Sequence, residues 1–237
     1  VAVGVGFGGP VDWRTGRICC SHQIAGWHDF ELAAWLHGQT RLPVFVDNDA
    51  NVAALGEALH GAGRGANPVF WINMGSGVGG GLVVAGRLYH GTTPGEAEIG
   101  HVRLDRGGTT VEQRCSGWAV DRRIREAVVS QAGFLATAVA RQATAGGEAR
   151  QLAAAVAAGD PLAKRIVAEV ADDLAFALSH AVQLFHPEMV VMGGGLSLVG
   201  EPLRAALAAA LPGYVMDSFQ PGPRVAISRM TPSGSLK

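Results

Sequence analysis

Three short polar clusters, each beside an apolar run, carry the residue types that a phosphoryl transfer requires. The first is Asp47-Asn48-Asp49, where a carboxylate could act as a general base. The second is the loop 75–81, in which five of seven residues are glycine and which could hold a phosphate. The third is Glu98-Ile99-Gly100-His101, whose polar side chains could bind hydroxyl groups. Together these clusters predict phosphoryl transfer to a polyol.

The glycine loop lies between two apolar runs, residues 69–74 and 82–84, and this pattern predicts a β-hairpin. Glycines at this density allow several backbone N–H groups to point at one anion and allow that anion to approach closely. Ser76 adds a hydroxyl donor. The residues alone leave open a second interpretation, a flexible hairpin turn that binds nothing.

The Asp47-Asn48-Asp49 cluster lies between a predicted strand at residues 42–46 and a predicted helix that ends at Gly61. In α/β folds, ligands bind where the carboxyl end of a strand meets the next helix. The alternative is that the two aspartates only cap the helix. Both roles are compatible, because the N–H groups at a helix start keep a carboxylate ionised, as a base requires.

Other patterns predict the elements that must position these clusters. We expect strands at 1–7, 101–104, 189–192 and 225–227, and helices at 112–128, within 130–159, from Asp160-Pro161 onward and at 201–211. The Gly193-Gly194-Gly195 turn predicts a second nucleotide contact. Because a strand at residues 1–7 would leave an open sheet edge, we expect residues of the fold ahead of Val1. The loop 62–68 predicts a domain boundary near residue 66.

The composition excludes several classes of protein. The net charge of −1 leaves no chain-wide basic surface for nucleic acid. No uninterrupted apolar stretch is long enough to span a membrane. Three cysteines, of which Cys19 and Cys20 are adjacent, make a poor disulfide framework and favour a reducing cytoplasm.

In these stretches the chain resembles the ROK family, a bacterial group of sugar kinases and sugar-responsive repressors within the actin-like ATPase superfamily. The resemblance extends nearly end to end and is carried by residues 46–51, 74–81 and 98–101. It implies an α/β, two-domain actin-like ATPase (ribonuclease H-like) fold, with the remainder of an N-terminal domain at 1–66 and a C-terminal domain at 67–237. A hexose-type sugar and ATP would meet in the cleft, and the protein would be a homodimer.

The resemblance also implies roles for particular residues. Asp49 matches the catalytic base, which takes a proton from the sugar hydroxyl as it attacks the γ-phosphorus. The sugar-binding positions of the family correspond to Asn48, Glu98, His101 and Glu112. The nucleotide-binding positions correspond to Gly75, Ser76, Gly77, Gly193 and Gly194. The implied cofactors are ATP and Mg²⁺.

Three departures from the family pattern affect these expectations. The zinc site of the family uses a histidine and three closely spaced cysteines, whereas Cys115 is the only thiol near His101, so we predict no zinc. The first phosphate motif of the family, an Asp-Gly-Gly-Thr type of turn, lies ahead of Val1 in the corresponding proteins, which leaves the activity of this chain open. Gln23 stands where many members have asparagine, which leaves one sugar contact open.

The leading hypothesis is therefore an ATP-dependent, glucokinase-like kinase of a hexose or N-acetylhexosamine. The alternative is the sugar-sensing domain of a ROK-type transcriptional repressor, and a third hypothesis is a non-catalytic sugar-binding protein. Asp49 favours the kinase, because a sensor needs no base at that position. We expect no nucleic-acid partner within this sequence, no membrane association and a cytoplasmic location.

Overall fold

The computed structural model describes residues 1–21, 24–95 and 97–230, which form an α/β fold. The first part of the chain contains, in order, β1 (Val3–Phe7), β2 (Val11–Asp12), β3 (Arg17–Ile18), α1 (Leu32–Thr40), β4 (Val44–Asn48) and α2 (Asp49–Leu59). Strands β1 and β4 pair in parallel, and β2 and β3 form a short hairpin. The strand predicted at residues 1–7 is confirmed, although it is only half buried, since β4 is its one partner within the described residues.

The second part of the chain is built on a larger sheet. Its elements are β5 (Val69–Met74), β6 (Val78–Val84), β7 (Arg87–Leu88), α3 (Val111–Cys115), α4 (Gly117–Val128), α5 (Phe134–Ala140), α6 (Leu152–Ala157), α7 (Pro161–Phe185), β8 (Met189–Gly193), α8 (Glu201–Ala210) and β9 (Arg224–Ile227). The order in the sheet is β7-β6-β5-β8-β9, in which β5, β8 and β9 pair in parallel and β6 pairs antiparallel with both β5 and β7. The predicted hairpin is confirmed as β5 and β6.

Helices cover both faces of the larger sheet. Successive residues of a strand point to opposite faces, so Ile72 lies in the core with the α7 residues Leu174 and Leu178, whereas Trp71 lies in the core with α2. Helix α7 begins as predicted, because the Asp160 side chain accepts a hydrogen bond of 2.9 Å from the N–H of Ala163. No helix among the described residues combines the length and the apolar character that a membrane crossing requires.

Helix α2 packs closely on β6 because glycines face it. A β-carbon on Gly81 would lie 2.6 Å from the β-carbon of Ala54, and one on Gly79 would lie 3.3 Å from that of Ala50. Since β6 begins at Val78, these two glycines belong to the strand and not to the loop. The part of the glycine cluster that remains as a loop is residues 75–77, while Gly79 and Gly81 allow α2 to pack and Gly80 lies against the carbonyl oxygen of Ala97.

Two predicted elements differ from the structure. Residues 101–104 are not a strand, because a 3₁₀ turn over Ile99–His101 precedes a single bridge between Arg103 and Thr110. The helix predicted at 112–128 is two helices, α3 and α4, separated at Ser116, whose backbone is extended. The helices predicted within 130–159 are α5 and α6, which are short and lie on either side of Gly146-Gly147, with a 3₁₀ turn before α6.

The boundary proposed near residue 66 falls in the loop between α2 and β5. Helix α2 connects directly to β4 of the small sheet, yet Ala54 and Ala58 lie in the same core as Trp71 of the large sheet. The helix that begins with Asp49 therefore packs against the second part of the chain. The boundary itself stays a prediction.

The buried carboxylate of Glu57 in α2 accepts hydrogen bonds from the end of the described chain. One of its oxygens accepts from the Ser228 hydroxyl at 2.5 Å and from the N–H groups of Arg229 and Met230 at 3.0 and 2.9 Å. The other accepts from the N–H of Ala62 at 2.6 Å. Glu57 belongs to α2 and three of its donors belong to residues 228–230, so its carboxylate links α2 to the segment that follows β9.

We expect Glu57→Gln to lower the free energy of unfolding by about 2 kcal/mol, because an amide has one acceptor oxygen and presents N–H groups to a donor at the other position. Chemical denaturation measures this difference. The exposed Glu126 of α4 provides the control, since Glu126→Gln should change the free energy by less than about 0.5 kcal/mol. Equal stability of both variants would contradict the role of Glu57.

Candidate active site

Asp49 is the first residue of α2 and follows β4 directly. Asn48 is the N-cap, and its side-chain oxygen accepts hydrogen bonds from the N–H groups of Ala50 at 2.8 Å and Asn51 at 3.2 Å. One Asp49 carboxylate oxygen also lies 2.8 Å from the Ala50 nitrogen. Asp49 remains exposed. The strand–helix junction thus presents a carboxylate to solvent, and Asn48 rather than Asp49 is the cap.

Crowding by surrounding protein atoms raises the pKa of the Asp49 carboxyl above its ordinary value of 3.8, although hydrogen bonds from backbone N–H groups act in the opposite direction. The side chain is accessible to water at its surface, so the shift reflects partial desolvation and not enclosure. Once ionised, a carboxylate with a raised pKa is a stronger base than an ordinary aspartate.

This shift predicts the pH dependence of catalysis if Asp49 is the base. Only the ionised form can accept a proton, so kcat/KM for the sugar should fall as the pH drops through the pKa of Asp49. We expect the midpoint of this acid limb above 3.8, the ordinary value for aspartate. A pH–rate profile from pH 4 to pH 9 measures it. A profile that stays flat down to pH 4 would contradict the raised pKa.

The predicted sugar ligand Asn48 is largely occupied by structural contacts. Only 7% of the residue is exposed, its oxygen caps α2, and its amide nitrogen donates to the carbonyl oxygen of Gly9 at 3.3 Å. A sugar would use the remaining amide hydrogen. The contact of Asn48 with sugar stays a prediction, as do the other proposed ligand contacts.

The two predicted nucleotide loops lie side by side. The loop 75–77 follows β5, and Gly193-Gly194 ends the neighbouring strand β8, with Asn73 opposite Gly193. A β-carbon on Gly194 would lie 2.6 Å from the carbonyl oxygen of Met74. Since β5 and β8 are parallel, both glycine turns occupy the carboxyl edge of the sheet, where α/β folds bind ligands. Ser76 is exposed at this edge.

The first turn of α4 also abuts the loop. The N–H of Gly117 donates to the carbonyl oxygen of Gly75 at 2.7 Å, and the N–H of Gly75 donates to the carbonyl oxygen of Gly77 at 2.9 Å. The break at Ser116, which the sequence did not predict, therefore brings the start of α4 to the glycine loop. A helix N-terminus favours negative charge, so it suits a phosphate site.

Glu98 and His101 lie at the two ends of the 3₁₀ turn that replaces the predicted strand. Their side chains are exposed, and His101 Nε2 lies 4.0 Å from a carboxylate oxygen of Glu98. Between them, Gly100 lies directly against the carbonyl oxygen of Val78, so the turn rests on the beginning of β6. Both side chains are therefore accessible to a ligand near the glycine loop.

Glu112 of α3 reaches the same place from another direction. Its carboxylate accepts a hydrogen bond of 2.9 Å from the N–H of Val78, the first residue of β6. Glu112, which is predicted to bind sugar, thus also stabilises the β5–β6 hairpin. Val78 and Gly79 are the common point of the site: Glu112 and Gly100 contact Val78, while Ala50, which follows Asp49, packs on Gly79.

His90, which no sequence pattern marked, binds Asp47 with 2.7 Å between Nε2 and a carboxylate oxygen. A single histidine in a loop carries no motif, and its partner is distant in sequence. The uncertain sugar contact at Gln23 lies outside the described residues.

The absence of zinc stays a prediction. Within residues 1–21, 24–95 and 97–230, no group of three or more histidine, cysteine, aspartate or glutamate side chains could hold a metal ion. Cys115 is fully buried, and burial raises the pKa of its thiol to about 12, so it lies in the core as a thiol.

Comparison with solved structures defines the class of protein first. The fold is similar to the ROK hexokinase of Thermus thermophilus, with a TM-score of 0.79 and 31% identity over 99% of this chain and 76% of that one. It is also similar to a ROK family glucokinase from Streptomyces griseus in complex with glucose and AMPPNP, with a TM-score of 0.81 and 29% identity over 96% and 76% of the two chains. The chain thus has the actin-like ATPase fold of these sugar kinases, as predicted.

Sequence comparison then identifies the family. The ROK family model matches residues 1–234. A glucokinase from Halalkalibacterium halodurans is 34% identical in an alignment that covers 96% of this chain and 72% of that protein. The chain belongs to the ROK family, and the resemblance inferred from its motifs is confirmed.

Proposed function

We propose that this protein is a glucokinase-like sugar kinase that transfers the γ-phosphoryl group of ATP to a hydroxyl of a hexose or N-acetylhexosamine. The observation that carries the proposal is the position of Asp49, an exposed carboxylate with a raised pKa at a strand–helix junction. The helix that it begins packs on the first glycines of β6. The relatives support the same reaction class, since they are named glucokinase or ROK hexokinase.

In this mechanism Asp49 accepts the proton of the attacking hydroxyl, and Glu98, His101 and Glu112 bind other hydroxyls of the sugar. The loop 75–77 and the Gly193-Gly194 turn provide backbone donors for the nucleotide, and the N-terminus of α4 favours its negative charge. Such donors cost no reorganisation during the reaction, because the hairpin and the sheet already hold them in place.

Mg²⁺ is proposed as the ion that accompanies ATP and balances the charge of its phosphates. Magnesium bound to a nucleotide keeps several waters and needs only one or two carboxylates from the protein. Asp49 would provide one such carboxylate, since Ala50, the residue after it, packs on Gly79 of the hairpin that carries the glycine loop.

The proposal is tested by sugar-dependent release of ADP, measured with a panel of hexoses and N-acetylhexosamines and with a reaction lacking sugar as control. We expect release with at least one sugar of the panel. Sugar binding detected by calorimetry without any release of ADP would instead support the alternative, the sensor domain of a repressor. That alternative has less support, because the relatives described above are kinases.

Two further features belong to the proposal. A homodimer is expected from the family resemblance, and sedimentation velocity of the purified protein tests it. A cytoplasmic location is consistent with the use of ATP and with the low cysteine content. The net charge of −1 supports small anionic and neutral ligands rather than nucleic acid.

A further inference from the structure

Three side chains form a cluster that joins the two parts of the chain, and we refer to His90, Asp47 and Trp13 as the interlobe cluster. His90 follows β7, Asp47 lies in β4 and Trp13 follows β2. His90 Nε2 lies 2.7 Å from Asp47 Oδ2, with only 13% and 18% of the two side chains exposed. The indole of Trp13 stacks on the imidazole with 4.2 Å between ring centroids and 14° between planes. The largely buried pair is thus shielded by an aromatic ring.

The hydrogen bond fixes where His90 carries its proton. An ionised carboxylate only accepts hydrogen bonds, so Nε2 of His90 must be the donor. The second carboxylate oxygen of Asp47 accepts from the Asn51 amide at 3.0 Å and from the N–H of Asn48 at 2.8 Å. Donors on both oxygens hold Asp47 in one orientation, and Asp47 precedes Asn48 and Asp49 in the chain.

The other side of the cluster is a loop that leads to the predicted sugar ligands. Gly95 adopts a left-handed backbone conformation and packs against the backbone of His90, since a β-carbon on Gly95 would lie 2.5 Å from the His90 carbonyl oxygen. The loop 90–95 therefore closes on itself. Glu98 comes three residues after Gly95 in the chain, and the 3₁₀ turn begins at the next residue. Anchoring His90 thus anchors the approach to Glu98.

We propose that His90 is a positioning residue for sugar binding: through Asp47 it holds the loop that leads to Glu98 in a fixed place relative to the segment that carries Asp49. This inference rests on the proposed function, because it assumes that Glu98 binds sugar. It assigns no chemistry to His90, which acts only through the residues that it places.

The test compares two substitutions of similar size in the full protein. Glutamine can place an N–H donor near the position of Nε2, whereas asparagine places it near the position of Nδ1. We expect His90→Asn to raise the KM for sugar about tenfold, the loss typical of one charge-assisted hydrogen bond, with kcat and the KM for ATP changed less than about twofold. His90→Gln should restore the sugar KM to within about threefold of the unsubstituted protein.

Amide hydrogen exchange without ligand gives a readout that does not depend on activity. Residues 91–95 should exchange faster in His90→Asn than in His90→Gln and the unsubstituted protein. If this difference appears but no sugar is phosphorylated by the unsubstituted protein, the anchoring is supported and the proposed function fails. If sugar is phosphorylated but both variants match the unsubstituted protein in sugar KM and in exchange, the positioning role is overturned. The positioning role would also be overturned if both variants showed the same fall in kcat and thermal stability and the same rise in both KM values.

Discussion

Asp49→Asn should lower kcat for sugar phosphorylation by about 10³-fold, the range expected on removing a general base. The substitution keeps the shape of the side chain and an oxygen that can accept the hydrogen bond from the N–H of Ala50, so α2 should form unchanged. The KM for sugar should change little, because the amide still occupies the carboxylate position. Steady-state kinetics with the best sugar of the panel measures both quantities.

Stability should respond to the same substitution in the opposite sense. The folded-state pKa of Asp49 is raised, so ionising this carboxyl disfavours the folded state once the pH exceeds that pKa. Asp49→Asn should therefore leave the melting temperature at pH 7 unchanged or higher, and any gain should disappear as the pH falls through the folded-state pKa. The exposed Asp217 serves as the matched control, since Asp217→Asn should alter neither kcat nor melting temperature. A catalytically normal Asp49→Asn would remove Asp49 from the mechanism.

Gly194→Ala should lower the free energy of unfolding by about 3 kcal/mol, which corresponds to roughly 10 °C in melting temperature for a chain of this size. Two effects combine at this position. The residue has a φ of +81°, which an alanine adopts only with strain, and a β-carbon would lie 2.5 Å from the carbonyl carbon of Met74. The clash is with backbone at the end of β5, so the loop 75–77 must shift, and the KM for ATP should rise as well.

The control is Gly195→Ala, the same substitution at the next residue, where the surroundings of the glycine differ. Gly195 has no atom within 4 Å of a β-carbon position. Gly195→Ala should therefore change stability by less than about 0.5 kcal/mol. Thermal and chemical denaturation of both variants, with ATP titrations on each, separate the effects. If both substitutions were equally tolerated, the close contact between the two glycine turns would be wrong.

Local sequence signals were sufficient for the elements whose ends are set by their own residues. The Asp160 cap with Pro161 marked the start of α7, and the apolar runs around the glycine loop marked β5 and β6. The break at Ser116 was missed because the helical periodicity continues across it, although the Ser116 side chain caps α4 by accepting from the N–H of Ala119. The N–H of Gly117 bonds the carbonyl oxygen of Gly75, which helical periodicity does not reveal.

In the candidate site, too, local motifs were predicted from the sequence and contacts between distant residues were not. The order and types of Asp49, Glu98 and His101 were sufficient to infer phosphoryl transfer to a polyol and to recognise the family. The sequence did not show that Glu112 bonds the N–H of Val78, or that His90 bonds Asp47 across the two parts of the chain. These contacts join residues 34 and 43 positions apart, and spacing along the chain carries no information about them.

We propose that Asp49, the glycine turns and the Glu98–His101 turn act together on one sugar and one nucleotide. A crystal structure of the protein with a hexose and a non-hydrolysable ATP analogue tests this proposal. One sugar hydroxyl should lie within about 3 Å of an Asp49 carboxylate oxygen, with other hydroxyls bound by Glu98 or His101 and the phosphates on the loop 75–77. A sugar bound elsewhere, with Asp49 facing bulk water in the presence of both ligands, would contradict it.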